Sequence, residues 1–313
     1  MADDTHLGPK VRRLTASDLG LVAPGDPDDE TSPIDTEDSV YLTTLELLEQ
    51  FGGVIFTGPP GTSKSWYAHK IAMRLADGHA DRVRFVQFHP SYQYEDFIQG
   101  FIPTDEGFVM TDKHFVEMCR TAEKTKGPVV LVIDELSRGD PGRVFGEALT
   151  YIERSKRGME FSLASGQKCN VPPNLVVLAT MNPLDRGVDE VDAALDRRFA
   201  KFALDPNAEM VDRFASQAGM ETGLRERLVE FFRSVNTGNQ LNPFAVLGHT
   251  YFVGVKDVDD LRRVWEHQLR FLFEKAYRLD RDGLASVRRR WDKVLNVPDV
   301  VEDDDAAGED ETL

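Results

Sequence analysis

The sequence predicts an α/β fold with a five-stranded parallel sheet, followed by a smaller α-helical domain. Three observations lead to this prediction. Between about residues 40 and 206, apolar β-rich runs alternate with helical stretches, the pattern of a parallel sheet covered on both faces. A glycine-bearing loop joins the first of these runs directly to a helix. After Pro206 the apolar residues recur at helical spacing, with no further convincing strand.

The predicted strands follow one another in chain order. They lie at residues 53–57, 84–88, 129–133 and 175–180, with a weaker one at 199–204. We therefore expect an α/β domain over residues 40–206 and a helical lid domain over 207–300. We see no internal repeat and recognise no separate DNA-binding module.

The two ends of the chain have a different composition. Residues 1–39 are rich in Pro, Gly, Asp, Ser and Thr, and residues 301–313 are almost entirely acidic or small. Both are predicted to be disordered and acidic. Each end contributes about −7 to the net charge of −17, so the segment between them is nearly balanced. Composition therefore decides neither for nor against DNA as a partner.

Bulk properties indicate a cytoplasmic protein. No apolar stretch approaches the roughly 18 residues of a membrane helix, so we expect no membrane association. The first ten residues lack the basic start and apolar run of a secretory signal. Cys119 and Cys169 show no metal-binding or redox spacing, and we interpret both as free, structural thiols.

The segment from Gly58 to Ser65, GPPGTSKS, has the form of a phosphate-binding loop between a strand and a helix. Its backbone N–H groups and the helix N-terminus would form an anion hole. Lys64 would reach the β and γ phosphates, and the Ser65 hydroxyl would ligate Mg²⁺. The residues expected to bind the nucleotide are Gly58, Pro59, Pro60, Gly61, Thr62, Ser63, Lys64, Ser65 and Trp66.

Ser63 departs from this pattern, which has glycine just before the lysine. Its Cβ could crowd a phosphate. Serine is small, however, and MoxR-type proteins often carry alanine at the corresponding place, so we expect nucleotide binding to be retained.

Asp134 and Glu135 end the apolar run VVLVI seventy residues after Lys64, an arrangement that resembles a Walker B motif. Asp134 would hold Mg²⁺ through its water shell, and Glu135 would orient and polarise the attacking water. An apolar strand with two terminal acids is weak evidence by itself. It becomes strong with the phosphate-binding loop upstream.

Asn182 follows the fourth strand, at the sheet edge where open α/β sheets bind ligands. It is a candidate sensor that would hydrogen-bond the γ-phosphate or the attacking water. The alternative is an asparagine that forms a turn before Pro183.

Arg197 and Arg198 close a predicted helix before the fifth strand and are our candidates for an arginine finger. A finger acts on a neighbouring subunit, so the active unit would be a homo-oligomeric ring. A basic helix end favoured by the macrodipole is the alternative, and the sequence does not distinguish the two arginines.

Four segments together resemble the AAA+ domain of McrB-type proteins over about residues 40–275. They are FHPSYQYEDFIQGF, IDELSRGDPGRVFGEALTYIE, ATMNPLDRGVDEVDAALDRRF and LGHTYF. Asp185 and Arg186 match the McrB motif MNTADR, whereas Pro183 and Leu184 depart from it. Ser137 stands where the motif DEINR has asparagine. The fold implied is a P-loop NTPase core with a helical lid, in the branch that neighbours dynein and MoxR.

The resemblance implies a nucleoside triphosphatase that assembles as a ring, for which we expect six subunits. McrB uses GTP, but most wider relatives use ATP, so ATP is favoured over GTP as the substrate, with Mg²⁺. The partner would be an endonuclease-like subunit of a restriction system. Two alternatives remain: a MoxR-like chaperone ATPase that acts on a protein complex, and a nucleotide-dependent switch with little turnover.

Three further groups have an ordinary structural interpretation beside a functional one. The aromatic cluster Phe88, Tyr92, Tyr94, Phe97 and Phe101 is explained by core packing or by substrate contact. His249 of LGHTYF is either a nucleotide sensor in the lid or a structural histidine. The three arginines at 288–290 either bind phosphate backbones or an acidic neighbour, or form a solvated helix face, and the helix face is favoured.

Overall fold

The protein is described by a computed structural model over residues 34–184, 195–237 and 242–296. Its strands are β1 (Gly53–Thr57), β2 (Val83–Gln87), β3 (Gln99–Thr104), β4 (Gly107–Asp112), β5 (Val129–Asp134), β6 (Glu160–Ser162), β7 (Lys168–Asn170), β8 (Leu175–Met181) and β9 (Phe199–Ala203). Five of them form a central parallel sheet in the order β2-β5-β8-β1-β9. Two antiparallel hairpins, β3–β4 and β6–β7, lie outside this sheet.

The helices cover both faces of the sheet and then continue into the lid. They are α1 (Ser39–Gln50), α2 (Lys64–Leu75), α3 (Tyr94–Phe97), α4 (His114–Lys124), α5 (Pro141–Phe145), α6 (Ala148–Ile152), α7 (Ala208–Gln217), α8 (Thr222–Thr237), α9 (Val258–Val264), α10 (Arg270–Ala276) and α11 (Arg281–Val294). A π-helical turn, Trp265–Leu269, joins α9 to α10. No helix of the described ranges is both long and apolar enough to cross a membrane.

The five-stranded parallel sheet and the C-terminal helical region confirm the predicted fold class. Every predicted sheet strand matches an observed one to within one residue at each end. The two hairpins are an addition that the sequence did not predict. The β3–β4 hairpin carries exposed apolar side chains on both faces, such as Phe101, 65% exposed, and Phe108, 75% exposed. The alternation of apolar and polar residues that predicts a half-buried strand is therefore missing there.

The sheet buries both faces because successive strand residues point to opposite sides. Ile55, Leu131 and Val177 join the core under α4, α5 and α6. Val54 and Phe56 point the other way, toward α1 and α2. Near-continuous apolar runs such as VVLVI are typical of parallel strands covered on both sides.

The described fold begins before the predicted domain boundary at residue 40. Ile34 is buried, and α1 starts at Ser39 behind an Asp38 cap whose carboxylate accepts the N–H groups of Val40 and Tyr41. The predicted disorder of the leader, for residues 1–33, and of the acidic tail, residues 301–313, lies outside the described residues. Asp185 and Arg186 of the predicted motif also lie outside them.

The lid has its own apolar core, built from α7 to α11. Trp265 of the π-helical turn stacks on Trp291 at 5.1 Å between ring centroids, and Phe231 meets Trp291 edge-on at 5.0 Å. Aromatic pairs at such distances stabilise a core beyond the area they bury. A short 3₁₀ helix, His249–Phe252, packs on this core through the buried Phe252.

Candidate functional site

Three neighbouring strands bring the predicted site residues to one edge of the sheet. β5, β8 and β1 are adjacent and parallel, and their carboxyl ends carry Asp134, Asn182 and the loop after Thr57. Ligands of open α/β sheets bind at this edge, where the chain leaves the strands in loops. The sheet order therefore assembles motifs that are far apart in the sequence.

The phosphate-binding loop has the backbone that its glycines predict. Gly58 has φ 153° and Gly61 has φ 79°, and a Cβ on Gly58 would lie 2.3 Å from the carbonyl oxygen of Leu204. Lys64 begins α2, and its Nζ donates to the carbonyl oxygens of Gly58 at 2.9 Å and Pro59 at 2.8 Å. The cationic group thus lies over its own loop at a helix N-terminus, which suits an anion.

Asp134 is the centre of a hydrogen-bond network at the end of β5. Its Oδ1 accepts from the Ser65 hydroxyl at 2.7 Å and from the Thr180 hydroxyl at 2.6 Å. Thr180 in turn accepts the backbone N–H of Glu135 at 3.0 Å. One buried hydroxyl therefore orients both acidic residues. Sequence reasoning missed Thr180, although a hydroxyl side chain near the end of the otherwise apolar run LVVLAT was the available signal.

The same oxygen atoms suit a magnesium ion. Ser65 is exposed and Asp134 half-buried, and a hydroxyl beside a carboxylate supplies the hard oxygen ligands that Mg²⁺ takes while keeping several waters. Within the described ranges, no group of three or more His, Cys, Asp or Glu side chains could hold a metal ion. A cation here would accordingly need oxygens from a phosphate ligand or water to complete its coordination.

Glu135 lies beside this network in a left-handed backbone conformation, φ 55° and ψ 46°. This conformation is uncommon outside glycine, asparagine and aspartate, and it is often found at functional sites. The carboxylate is half-buried and forms an ion pair with Arg138, at 3.3 Å between Oε2 and Nε. The ion pair restrains the side chain, which stays accessible from solvent.

Asn182 directly follows β8, as predicted. Its Oδ1 accepts the N–H of Leu184 at 3.1 Å, so the side chain forms the turn that the structural interpretation required. This hydrogen bond uses the side-chain oxygen of Asn182 and not its NH₂ group. A turn role and a sensor role are therefore compatible.

Arg197 and Arg198 lie at the opposite edge of the sheet from the loop. The carbonyl oxygen of Arg198 accepts the N–H of Gly52 at 2.8 Å, directly before β1, whereas the loop follows β1. A five-residue strand separates the two edges by about 16 Å. Neither arginine joins the site of its own chain.

The two arginines also differ in exposure. Arg197 is exposed, whereas Arg198 is only 5% exposed, and burial together with the charge of Arg197 lowers the pKa of Arg198. An exposed guanidinium can reach another molecule, and a buried one cannot without rearrangement. The structure thus favours Arg197 for any contact with a neighbour.

The lid contacts the phosphate-binding loop through LGHTYF. The N–H of Thr250 donates to the carbonyl oxygen of Gly61 at 3.0 Å, and His249 Nε2 lies 2.9 Å from the Ser63 hydroxyl. Burial lowers the pKa of His249 to about 4, with a smaller contribution from Arg213, so the imidazole is neutral near pH 7. His249 is therefore a hydrogen-bonded core histidine that also touches the predicted site.

The remaining predicted residues have local partners. Trp66 is half-buried in the first turn of α2, edge-on to Tyr67 at 4.9 Å. Of the aromatic cluster, Phe88 and Phe97 are buried in T-shaped contact at 5.4 Å, as core packing predicts, whereas Phe101 is exposed on β3.

The arginines of α11 make contacts within the lid. Arg288 lies over the Trp265 ring at 5.3 Å and pairs with Asp292 at 3.7 Å. Arg290 donates to the carbonyl oxygen of Ser234 at 3.0 Å. These contacts agree with the simpler interpretation of this run as a partly solvated helix face.

The part of the chain that carries this site matches a known protein family. Residues 53–199, from the first strand of the sheet to the start of the last, match the AAA domain of the dynein-related subfamily. The chain carries a dynein-related AAA domain. The family implies nucleotide binding and nucleoside triphosphatase activity.

Two curated relatives of this AAA protein are restriction components. The type IV methyl-directed restriction enzyme EcoKMcrB subunit of Escherichia coli K12 is 32% identical over 243 residues, which cover 72% of this chain and 53% of the relative. The type II restriction enzyme BsuMI component YdiS of Bacillus subtilis 168 is 26% identical over 188 residues, covering 47% of this chain and 55% of the relative. The chain spans about half the length of these relatives. The predicted McrB-like, dynein-related family is thereby confirmed.

Proposed function

We propose that this AAA protein hydrolyses a nucleoside triphosphate, with ATP favoured over GTP, as the motor subunit of a restriction-type system. The observation that carries the proposal is the network in which Ser65 and Thr180 both donate to Asp134 at the mouth of the phosphate-binding loop. It joins a phosphate-binding helix N-terminus to paired acidic residues in one site. The relation to restriction subunits supplies the biological class.

The loop and Lys64 bind the triphosphate. Backbone N–H groups of the loop face the anion, and the Nζ of Lys64 exchanges its bonds to Gly58 and Pro59 for phosphate oxygens. Ser65 and Asp134 would hold Mg²⁺, which when bound supplies positive charge to the phosphates. Trp66, half-buried directly after Ser65, would lie against the bound nucleotide.

Glu135 acts on the attacking water. Its carboxylate would accept a hydrogen bond from the water and orient it toward the terminal phosphate. The left-handed backbone of Glu135 and its N–H bond to Thr180 fix where the side chain leaves the sheet. Asn182, on the next strand, would donate its amide hydrogens to the phosphate or the same water.

Completion of the site requires a second subunit. Arg197 is exposed at the far edge of the sheet, about 16 Å from its own loop, and so would act on the nucleotide of a neighbour. A head-to-tail contact of this kind closes into a ring when the rotation between subunits permits. We propose a homo-oligomeric ring, expected to contain six subunits, with Arg197 and not the buried Arg198 as the finger.

The test is nucleotide hydrolysis by the wild type and Glu135→Gln, with ATP and GTP in parallel and the mass in solution measured in the same samples. We expect both proteins to bind nucleotide and only the wild type to hydrolyse it, as an oligomer. Equal binding with equally little turnover in both would favour a nucleotide-dependent switch. A strictly monomeric protein with full activity would refute the finger assignment.

A second arm of the experiment addresses the partner. Stimulation of hydrolysis by DNA, or by DNA with an endonuclease-like subunit, is expected for a restriction motor. Stimulation by a protein complex alone would instead indicate a chaperone of the MoxR type and would overturn the restriction assignment.

A further inference from the structure

The lid touches the phosphate-binding loop backbone to backbone. Thr250 N–H donates to the carbonyl oxygen of Gly61 at 3.0 Å. A Cβ on Gly248 would lie 2.3 Å from that same oxygen, and a Cβ on Gly61 would lie 3.0 Å from Thr250 Oγ1. The backbone leaves no room for a Cβ at Gly248, and the φ of 79° favours glycine at Gly61. The lid loop is therefore fitted to this loop and does not merely lie near it.

A side-chain hydrogen bond joins the same two segments. His249 Nε2 lies 2.9 Å from Ser63 Oγ, and His249 Nδ1 accepts the N–H of Asn207 at 3.3 Å. Because Nδ1 is an acceptor, the neutral ring carries its proton on Nε2 and donates it to Ser63. His249 is only 3% exposed, so the surrounding lid holds this orientation.

Ser63 has a backbone conformation that glycine would adopt more easily. Its φ is 62° and its ψ is 20°, in the left-handed region, immediately before the first residue of α2. A residue with a Cβ is disfavoured there relative to glycine. The hydroxyl bond to His249 offsets this cost and ties the most strained residue of the loop to the lid.

We propose that the Ser63–His249 hydrogen bond is a positioning contact through which the lid holds the phosphate-binding loop in its nucleotide-binding conformation. The inference rests on the proposed function, since it concerns the affinity of the same site. Ser63 and His249 act through the loop and not on the reacting phosphate. Nucleotide affinity in this chain then depends on where the lid lies.

The contact is expected to change binding more than chemistry. A loop already held in its bound conformation loses less conformational freedom when the phosphates arrive, so its affinity is higher. Removal of the tether should therefore weaken binding and raise KM. The value of kcat should change little, because Glu135 and Asp134 are positioned by Thr180 on the other side of the site.

A double-mutant cycle on the full chain tests this dependence. Ser63→Ala removes the acceptor, and His249→Asn keeps an oxygen near Nδ1 for Asn207 but loses the donor to Ser63. His249→Gln places an amide donor near Nε2 and is the rescue variant. Ser216→Ala, at an exposed lid serine, is the matched control. Dissociation constants are measured with non-hydrolysable ATP and GTP analogues, and KM and kcat with ATP and GTP.

We expect each single loss variant to bind about 3- to 10-fold more weakly, the range of one lost hydrogen bond, with kcat within about twofold. The double variant should bind no more weakly than the weaker single variant, because both substitutions remove the same hydrogen bond. His249→Gln and Ser216→Ala should remain near the wild type. Ser63→Gly, which restores the usual glycine, should also bind more weakly despite its relaxed backbone.

Other results would overturn the inference. Independent, multiplying effects in the double variant would show that the two side chains do not act together. Tighter binding by Ser63→Ala or Ser63→Gly would show that the contact opposes binding. If His249→Asn fails to fold, unchanged affinity of Ser63→Ala alone refutes the proposal. A wild type that binds neither analogue refutes the proposed function itself, whereas a binding wild type with no coupling refutes only this inference.

Discussion

Replacement of Thr180 by valine removes one hydroxyl and leaves the shape of the side chain nearly unchanged. Thr180 is 2% exposed, so its hydroxyl bonds to protein groups and not to bulk water. In Thr180→Val the Glu135 N–H loses its acceptor and the Asp134 carboxylate loses a donor at 2.6 Å. The variant tests whether this threonine orients the two acidic residues.

The expected magnitude follows from those two bonds. A hydrogen bond to a charged group contributes about 1.5–3 kcal/mol, and a buried donor left unpaired costs about 1–3 kcal/mol. Because neighbouring effects do not add fully, we expect the free energy of unfolding to fall by about 2–4 kcal/mol. We also expect kcat to fall at least about tenfold, equivalent to about 1.4 kcal/mol, since Glu135 is no longer fixed by its N–H.

The assay combines denaturant unfolding with steady-state nucleotide hydrolysis. Thr180→Ser is the matched control, because it keeps the hydroxyl and loses only a methyl group, at a cost of about 1 kcal/mol. We expect Thr180→Ser to retain most activity. If Thr180→Val is as stable and as active as Thr180→Ser, the hydroxyl does not orient Asp134 and Glu135, and the reasoning is wrong.

Three further predictions concern other parts of the molecule. Arg197→Ala and Glu135→Gln should each be inactive alone, but an equal mixture should recover about a quarter of wild-type turnover, because hybrid sites form between the two variants. No recovery would contradict an arginine supplied by the neighbouring subunit. Arg198→Ala should instead lower the free energy of unfolding. Arg157 donates to the carbonyl oxygens of residues 52, 152, 172 and 175. Arg157→Met should therefore lower the free energy of unfolding by more than about 3 kcal/mol in denaturant titrations. A loss below about 1 kcal/mol would show that Arg157 does not hold these segments together. The pKa of His249 is about 4 in the folded protein and 6.5 in the unfolded chain. Its contribution to the free energy of unfolding is therefore complete above pH 6.5 and falls by up to about 3 kcal/mol as the pH is lowered toward 4. His249→Gln should flatten the pH dependence of the unfolding free energy in that range, and an unchanged slope would contradict the assignment.

The sequence predicted the sheet because its strands are buried on both faces. A run such as VVLVI is typical of a parallel strand covered on both faces by helices. The glycines of the loop were equally informative, since glycine is the residue type that most easily adopts the positive φ angles found at Gly58 and Gly61. Asp134 and Glu135 were recognised as candidate site residues because they end an apolar strand.

The contacts between distant segments could not be predicted in this way. Thr180 is a common strand residue, and its role appears only when β8 is placed beside β5. The bond from His249 to Ser63 joins residues 186 positions apart. The location of Arg197 at the far edge likewise depends on the pairing of β9 with β1. Sequence patterns specify the face of an element, but not which other element it meets.

The separation of Arg197 from its own loop has a kinetic consequence. If two chains build each site, the rate per chain is not constant but rises with protein concentration and levels off once the contacts are saturated. Dilution would then switch the protein off without any change in its fold. The amount of protein in the cell, or anything that gathers chains in one place, would set the activity as effectively as the supply of nucleotide.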